Sequence, residues 1–281
     1  MHRLALAFVL WASTLTGAGL DEAARLYDHT EYTRALSILE PIPEKTAPVF
    51  DLMGRCYYQL GEYKKASDAL EKAVKSDPQN SFSTHWLGRA YGKRAESANV
   101  FAAPGLASKT RKSFEKAVEL DSTNVEAMSD LLEYYLEAPG FLGGGMDKAQ
   151  AMAKRIAALD PAEGHYAYAQ IYRKEKDFGK VEKELRNAVA AAPKQVGRII
   201  DLAKFLANRG RFNESDQWFE RAEAEAPDKP SILFHKADAY LQAKRDVATA
   251  RKLLEQYLKA DLTPDDPSRK EARKLLEGAG S

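Results

Sequence analysis

The chain has 281 residues, of which 44% are hydrophobic, enough to bury a sizeable core in one large domain or two. Charged residues make up 30%, but 42 Lys and Arg almost cancel 41 Asp and Glu, so no net field attracts nucleic acid or an anionic membrane. Disorder is therefore not the default, and we expect no nucleic-acid partner.

Residues 1–18 differ in composition from the rest of the chain. A short basic start is followed by an apolar run from Leu4 to Leu15 and by small residues up to Ala18. This pattern is typical of a secretory signal peptide, because a membrane-spanning helix needs about 20 apolar residues. A retained anchor and a buried first helix are the alternatives. We expect cleavage near Ala18 and a periplasmic or secreted protein.

The chain contains one cysteine, Cys56. No intramolecular disulfide can form, so an exported domain must be stable through its core alone. No cysteine lies at the end of the signal segment, and lipid attachment of the lipoprotein type is therefore not expected. Cys56 takes a helix position that suits a small residue, which favours a buried, inert thiol over a nucleophile.

Residues 47–80 form the clearest repeating unit, 34 residues long. Apolar and small residues recur there at three- and four-residue spacing, which predicts one packed face on each of two helices. The positions are Phe50, Met53, Gly54 and Tyr57 in the first helix, Gly61 as the break, and Tyr63, Ala66, Leu70 and Ala73 in the second, which Pro78 ends. Gly54, Ala66 and Ala73 mark the places where the two helices must approach closely.

This unit resembles the tetratricopeptide repeat at almost every signature position. The same frame fits most of the chain, in units at about 20–41, 81–124, 125–161, 162–195, 196–229 and 230–262, with a capping helix at 266–277. The resemblance implies an all-α, right-handed superhelical solenoid of about seven helix pairs plus the C-terminal cap, forming a single domain over residues 19–281.

The units 81–124 and 125–161 are longer than 34 residues, and the excess lies between their first and second helices, near 93–109 and 138–147. We expect Pro104-Gly105 to end a prolonged first helix. Both insertions should emerge on one edge of the solenoid, and they resemble those of a group of exported bacterial tetratricopeptide proteins.

Four apolar residues of these insertions are a candidate binding patch: Phe101, Leu106, Phe141 and Leu142. The alternative is that the two loops only pack on each other.

No catalytic or metal-binding pattern is present. The five histidines are not spaced from one another, or from acidic residues, as metal ligands are. Gly143, Gly144 and Gly145 precede a predicted helix but lack the spacing of a phosphate-binding loop. We therefore expect no enzyme activity, no cofactor and no metal site.

In tetratricopeptide solenoids the first helices line the concave groove, so the resemblance also implies which side chains contact a partner. The predicted groove residues are Arg55, Tyr58, His85, Trp86, Arg89, Lys93, Asp130, Glu133, Tyr166 and Arg173, and the same register adds Asp51, Gln59, Ser129, Glu137, Gln170, Lys174, Asp201, Lys204, Asn208, Phe234, His235, Asp238 and Gln242. The Lys/Asn/Arg set with which some of these domains hold the acidic tails of chaperones is absent.

The cationic and aromatic groove residues up to Lys93 suit an extended peptide that carries a carboxylate and an apolar side chain. Asp130 and Glu133 would favour a cation. Internal salt bridges across the groove are the alternative. We therefore expect a non-enzymatic scaffold or adaptor of the cell envelope that binds a protein or peptide segment in the groove. A small-molecule, cell-wall or carbohydrate-binding module that uses the inserted loops is the second possibility.

Overall fold

The computed structural model describes residues 17–279, and within that range every regular element is helical. Fifteen α-helices follow one another in this part of the chain, and a short 3-10 helix, Gly140–Leu142, lies between the seventh and the eighth. They are α1 (17–28), α2 (Tyr32–Leu39), α3 (Ala47–Gln59), α4 (Tyr63–Ser76), α5 (Ser81–Glu96), α6 (Ala103–Leu120), α7 (Val125–Glu137), α8 (Met146–Leu159), α9 (Pro161–Lys174), α10 (Phe178–Ala191), α11 (Val196–Asn208), α12 (Phe212–Glu225), α13 (Ser231–Gln242), α14 (Val247–Tyr257) and α15 (Arg269–Gly278).

The helices form seven consecutive pairs and a final single helix, which confirms the predicted all-α architecture. Residues 1–16, with most of the predicted signal peptide, lie outside the described range. None of the helices described is long and apolar enough to cross a membrane. The chain divides into two compact units, unit 1 up to Ala127 and unit 2 from Met128 onward.

Five of the seven pairs share one turn between their first and second helices. One residue of each turn has a left-handed backbone, and the second helix starts two or three residues after it. These residues are Thr30, Gly61, Lys176, Gly210 and Lys244, with φ between 52° and 77°. A backbone N–H reaches back five residues in each turn, as in Glu62 to Tyr57 and Arg211 to Leu206. This is the Schellman ending, which satisfies the last carbonyls of the first helix.

Gly54 and Gly88, which are one repeat apart, let the paired helices approach closely. A Cβ on Gly54 would lie 2.5 Å from Leu70 Cγ, and one on Gly88 would lie 2.5 Å from the Phe114 ring. Both distances are far below van der Waals contact. The predicted close approach at Gly54 is therefore present, and Gly88 repeats it.

The extra residues of the pair α5–α6 lie in three places: in each of its two helices and in the connection between them. Both helices are longer than those of the pair α3–α4, and the connection between them covers residues 97–102. The prediction that Pro104-Gly105 ends the first helix is wrong, because Pro104 lies in the first turn of α6. A proline is tolerated there since the first N–H groups of a helix have no partner within it.

The last helix, α15, closes the C-terminal end of unit 2. Ser268 and Glu271 form a capping box at its start. Ala272 is buried, and Leu275 packs against the same cluster as Phe234 and Leu254. The predicted start at residue 266 is three residues too early, because α15 begins at Arg269 and Asp266 instead accepts hydrogen bonds from the backbone and side chain of Thr263.

Candidate functional site

In unit 1 the predicted groove cation Arg55 is engaged by residues of the chain itself. Its Nε donates to Asp51 Oδ2 at 2.9 Å, and its guanidinium lies 4.7 Å from the Tyr27 ring and 5.2 Å from the Phe82 ring. Asp51 is buried and also accepts from Ser83 Oγ at 2.7 Å. Arg55 therefore joins three successive first helices, α1, α3 and α5.

The other predicted cations of unit 1 are also paired. Arg89 Nη2 lies 2.8 Å from Glu126 Oε1, and its guanidinium stacks 5.1 Å from the Trp86 ring. Lys93 Nζ lies 3.0 Å from Glu96 Oε1. Tyr58 meets Trp86 edge to face, with ring centroids 5.2 Å apart. Of these contacts, the Arg89–Glu126 pair joins two first helices and is an internal salt bridge of the kind that the sequence left as the alternative, whereas the Lys93–Glu96 pair lies within α5.

His85 does not line the groove, so this part of the prediction is wrong. Its side chain is fully buried, and its ring centroid lies 5.6 Å from that of Phe114 on α6. The reason is helical spacing, because His85 lies three residues before Gly88, the residue that packs against the same Phe114. Trp86, one residue later, faces Tyr58 instead.

In unit 2 the predicted positions converge on one concave site between α7 and α9, with a volume of about 470 Å³. We call it the α7–α9 site. Its lining consists of Ser129, Asp130, Leu132, Glu133, Leu136, Glu137, Tyr166, Ala167, Gln170, Arg173 and Lys174. All eight first-helix contact positions predicted for these two pairs are among them. The sequence did not single out the apolar floor of Leu132, Leu136 and Ala167, whose spacing on their helices is that of ordinary core residues.

The walls of the α7–α9 site carry opposite charges. Acidic Asp130, Glu133 and Glu137 lie along α7, and Arg173 and Lys174 lie in the last turn of α9. Lys174 Nζ is 3.0 Å from Glu137 Oε2, so one pair already bridges the walls. Arg173 is exposed and forms no ion pair with any described acid.

A chain of hydrogen bonds runs along α9 from Arg173 to Tyr166. Arg173 Nη1 donates to Gln170 Oε1 at 2.6 Å, and Gln170 Nε2 donates to Tyr166 Oη at 3.1 Å. Burial raises the pKa of Tyr166 to about 12, and Asp201 nearby adds to this, so the phenol keeps its proton at neutral pH. The structure records no acceptor for that proton among the described residues.

The guanidinium of Arg198 stacks on one face of the Tyr166 ring. It lies 3.7 Å from the ring centroid, and the side chain of Arg198 is only 14% exposed. Glu163 and Asp201 flank it, with N···O distances of 3.5 and 3.2 Å. The cation thus lies between an aromatic face and two carboxylates, and its contact with the ring stabilises Tyr166 in this position.

A second concave site in unit 2, of about 500 Å³, lies between α11, the start of α13 and residues 261–266. It includes three further predicted groove residues, Asp201, Lys204 and His235. Burial raises the pKa of Asp201. Burial, and then Lys204, lowers the pKa of His235 to about 4. His235 is therefore neutral at physiological pH.

The apolar residues of the two inserted loops are unequally exposed. Phe101 is 93% exposed and its neighbour Val100 is 78% exposed, while Leu106 is half-buried against the core of unit 1. In unit 2, Phe141 is 84% exposed and Leu142 is half-buried. The two loops belong to different units, and a patch shared by them stays a prediction.

The three consecutive glycines do not form a phosphate loop. The N–H groups of Gly143, Gly144 and Gly145 donate to the carbonyls of Gly140, Pro139 and Tyr135, so none of the three glycines has a donor left for an anion. Among the described residues, no group of three His, Cys, Asp or Glu side chains could hold a metal ion.

Comparison with known proteins agrees with the helix-pair architecture. Residues 47–80 match the family model of the tetratricopeptide repeat. A thermophilic tetratricopeptide repeat protein of Thermus thermophilus is similar in structure, with a TM-score of 0.55 and 20% identity over 68% of this chain and 98% of that one. A tetratricopeptide repeat protein of Parabacteroides merdae gives a TM-score of 0.59 at 10% identity, over 95% of this chain and 100% of that one.

One relative is similar over a short segment of sequence. Anaphase-promoting complex subunit 3 of Dictyostelium discoideum is 42% identical over 62 residues. These residues are 21% of this chain and 6% of that protein, so the chain spans only a small fraction of its length.

Proposed function

Because the chain is a tetratricopeptide repeat protein, we propose that it is a non-enzymatic scaffold of the cell envelope that holds a segment of another protein in the α7–α9 site. The fold itself suggests a protein-interaction scaffold, since stacked helix pairs create extended concave surfaces. The observation that carries the proposal is the convergence of eight predicted contact positions on one concave site with an apolar floor.

The composition of this site suits a protein segment. Interface anchors are enriched in Tyr and Arg, and they act best beside apolar surface that loses water on binding. Tyr166 and Arg173 provide such anchors, and Leu132 and Leu136 form the floor beneath them. A bound side chain would gain hydrophobic stabilisation from the floor and orientation from the walls.

The groove of unit 1 is a weaker candidate. A partner that used Arg55 would have to compete with Asp51, which is buried and already hydrogen-bonded to it. Separating that pair would leave a buried carboxylate uncompensated, which typically costs about 3–5 kcal/mol. We therefore assign the ionic residues of unit 1 to the structure of the repeat array.

The envelope location is supported by the signal-peptide pattern of residues 1–18. Expression of the full chain with a C-terminal tag, followed by fractionation and N-terminal sequencing, tests it. We expect the tag in the exported fraction and a mature N-terminus near Gly19. A cytoplasmic protein that keeps Met1 would refute the location.

Site-specific photo-crosslinking tests the binding surface. Gln170 lines the α7–α9 site, and Lys183 is an exposed residue of α10 outside it. Each is replaced by p-benzoylphenylalanine, and the two proteins are irradiated in envelope extract of the source organism. We expect discrete cross-linked proteins from position 170 and not from position 183. Identical patterns from both positions would contradict a specific role for the site.

A further inference from the structure

We propose that the α7–α9 site recognises one internal Asp or Glu side chain of the partner, next to an apolar side chain that lies on the Leu132–Leu136 floor. This inference rests on the proposed function and adds the chemistry of the ligand. The ligand is an acidic side chain within a continuing segment and not a free C-terminal carboxylate.

The first step is that Arg173 has no carboxylate of the described residues within ion-pair distance. Each of the other cations predicted for the groove up to Lys174 has a carboxylate within 3.0 Å: Arg55, Arg89, Lys93 and Lys174. Arg173 has only a neutral amide, that of Gln170, on one of its five N–H donors. A guanidinium beside an apolar floor favours a carboxylate, because the pair forms charge-assisted hydrogen bonds.

The second step is the direction of the hydrogen bonds on α9. Gln170 accepts from Arg173 and donates to Tyr166, so Tyr166 is left as an O–H donor and Arg173 as an N–H donor. Both donors belong to the same wall, and neither has a carboxylate acceptor among the described residues. A carboxylate that lies against this wall can accept a hydrogen bond from either donor. The stacking of Arg198 keeps Tyr166 in place for this contact.

The third step is the opposite wall, which limits how acidic the ligand can be. Asp130 and Glu133 line the same site on α7. The acidic side chains of this wall disfavour a densely acidic ligand, since like charges at short range are unfavourable. The site therefore disfavours a polyacidic tail, and we limit the ligand to one acidic residue.

The choice of an internal side chain follows from the surface beyond Tyr166. The concave face continues onto α11 and α13, where Asp201, Lys204 and His235 line the second site of unit 2. Arg198 touches both sites, through the Tyr166 ring on one side and Asp201 on the other. A segment anchored at Arg173 thus has further surface along which to continue.

Peptide selection tests the inference. The probe is a library of random dodecapeptides displayed on phage through their C-terminal ends, so that no selected peptide has a free carboxyl terminus. The target is the mature chain, and the variants are Arg173→Gln and Arg155→Gln. Arg155 is an exposed residue of α8 that does not line the site, and its replacement makes the same change in charge.

We expect a consensus with one Asp or Glu beside an aliphatic or aromatic residue. The consensus peptide is prepared as a C-terminal amide, and its dissociation constants are measured by isothermal titration calorimetry. We expect Arg173→Gln to bind it at least about tenfold more weakly than wild type, and Arg155→Gln to bind it as tightly as wild type. The same loss is expected when the acidic residue of the peptide becomes its amide, and the two losses should not add, because they remove the same contact. Circular dichroism checks that the variants are folded.

The inference fails, and the proposed function survives, if the consensus has no acidic residue or if Arg173→Gln binds it as well as wild type. It also fails, and the proposed function survives, if peptides are enriched only from a second library displayed through its N-terminal ends, whose members have a free C-terminal carboxylate. If no peptide from either library is enriched over the uncoated support, both the inference and the proposed binding function are refuted.

Discussion

Replacement of Gly164 by alanine tests the helix packing that shapes the α7–α9 site. A Cβ on Gly164 would lie 2.4 Å from both Cα and Cβ of Ala157 on α8. Carbon atoms pack at about 3.5–4.0 Å, so α8 and α9 would have to separate by roughly 1 Å or more. Ala157 cannot relieve the contact by a change of rotamer, because its backbone is one of the atoms touched.

Two effects of opposite sign determine the magnitude. Alanine is favoured over glycine inside a helix by about 0.8–1 kcal/mol. Overpacking of a rigid contact costs about 1–3 kcal/mol, and a backbone contact belongs at the upper end. We therefore expect Gly164→Ala to lower the free energy of unfolding by about 1–2 kcal/mol.

Gly197, near the start of α11, is the matched control. No atom lies within 4 Å of a Cβ built on it. Gly197→Ala should therefore gain the helix propensity alone and stabilise the protein by up to about 1 kcal/mol. Urea unfolding followed by far-UV circular dichroism measures both variants at constant slope. If Gly164→Ala is as stable as Gly197→Ala, the close approach of α8 and α9 is refuted.

Three further predictions concern other parts of the chain. The pKa of His235 is lowered from 6.5 to about 4 in the folded protein. Between pH 6.5 and pH 4 only the unfolded state therefore takes up a proton at this residue, and the free energy of unfolding falls by up to about 3 kcal/mol as the pH is lowered. Urea titrations near pH 7 and near pH 5 should therefore show a larger loss for wild type than for His235→Gln, and parallel losses would contradict the assignment. A Cβ on Gly144 would lie 1.8 Å from the carbonyl oxygen of Ala138, so Gly144→Ala should lower the midpoint of thermal unfolding. Gly140→Ala is the control and should leave the midpoint unchanged, because no atom lies within 4 Å of a Cβ built on Gly140. Equal midpoints for the two variants would contradict the observed loop conformation. Phe101 is 93% exposed, and Phe101→Ser should change the free energy of unfolding by less than about 0.5 kcal/mol in the same urea assay; a larger loss would mean that the ring is packed.

Much of the fold follows from spacing and from glycine. Gly61 marks its helix ending in the sequence because the left-handed conformation costs glycine nothing. Lys176 and Lys244 have the same conformation at the equivalent turns, and neither has any sequence signal for it. There the hydrogen bonds of the ending and the packing of the helix pair impose the backbone. Repeat register, and not residue type, predicts these turns.

The candidate site was predictable only in outline. The register of the first helices predicts which positions face the groove, and Tyr166 and Arg173 do line a concave site, while their contact with a partner stays a prediction. The register fails for His85, because that residue lies at the border between the groove face and the face that packs on Phe114. The register also does not predict which charged side chains form ion pairs. Arg89 on α5 pairs with Glu126, which lies on α7, the first helix of the following pair.

The distribution of ion pairs gives the two units different roles. In unit 1 the groove side of the first helices uses its cations internally, and Arg55 links three helices through Asp51 and two aromatic rings. In unit 2 the chain of hydrogen bonds on α9 ends in Arg173 without a carboxylate. A buried and paired cation resists a partner, because its release leaves an uncompensated acid. An exposed cation beside an apolar floor favours one, and this asymmetry between Arg55 and Arg173 is the physical basis for locating binding in unit 2.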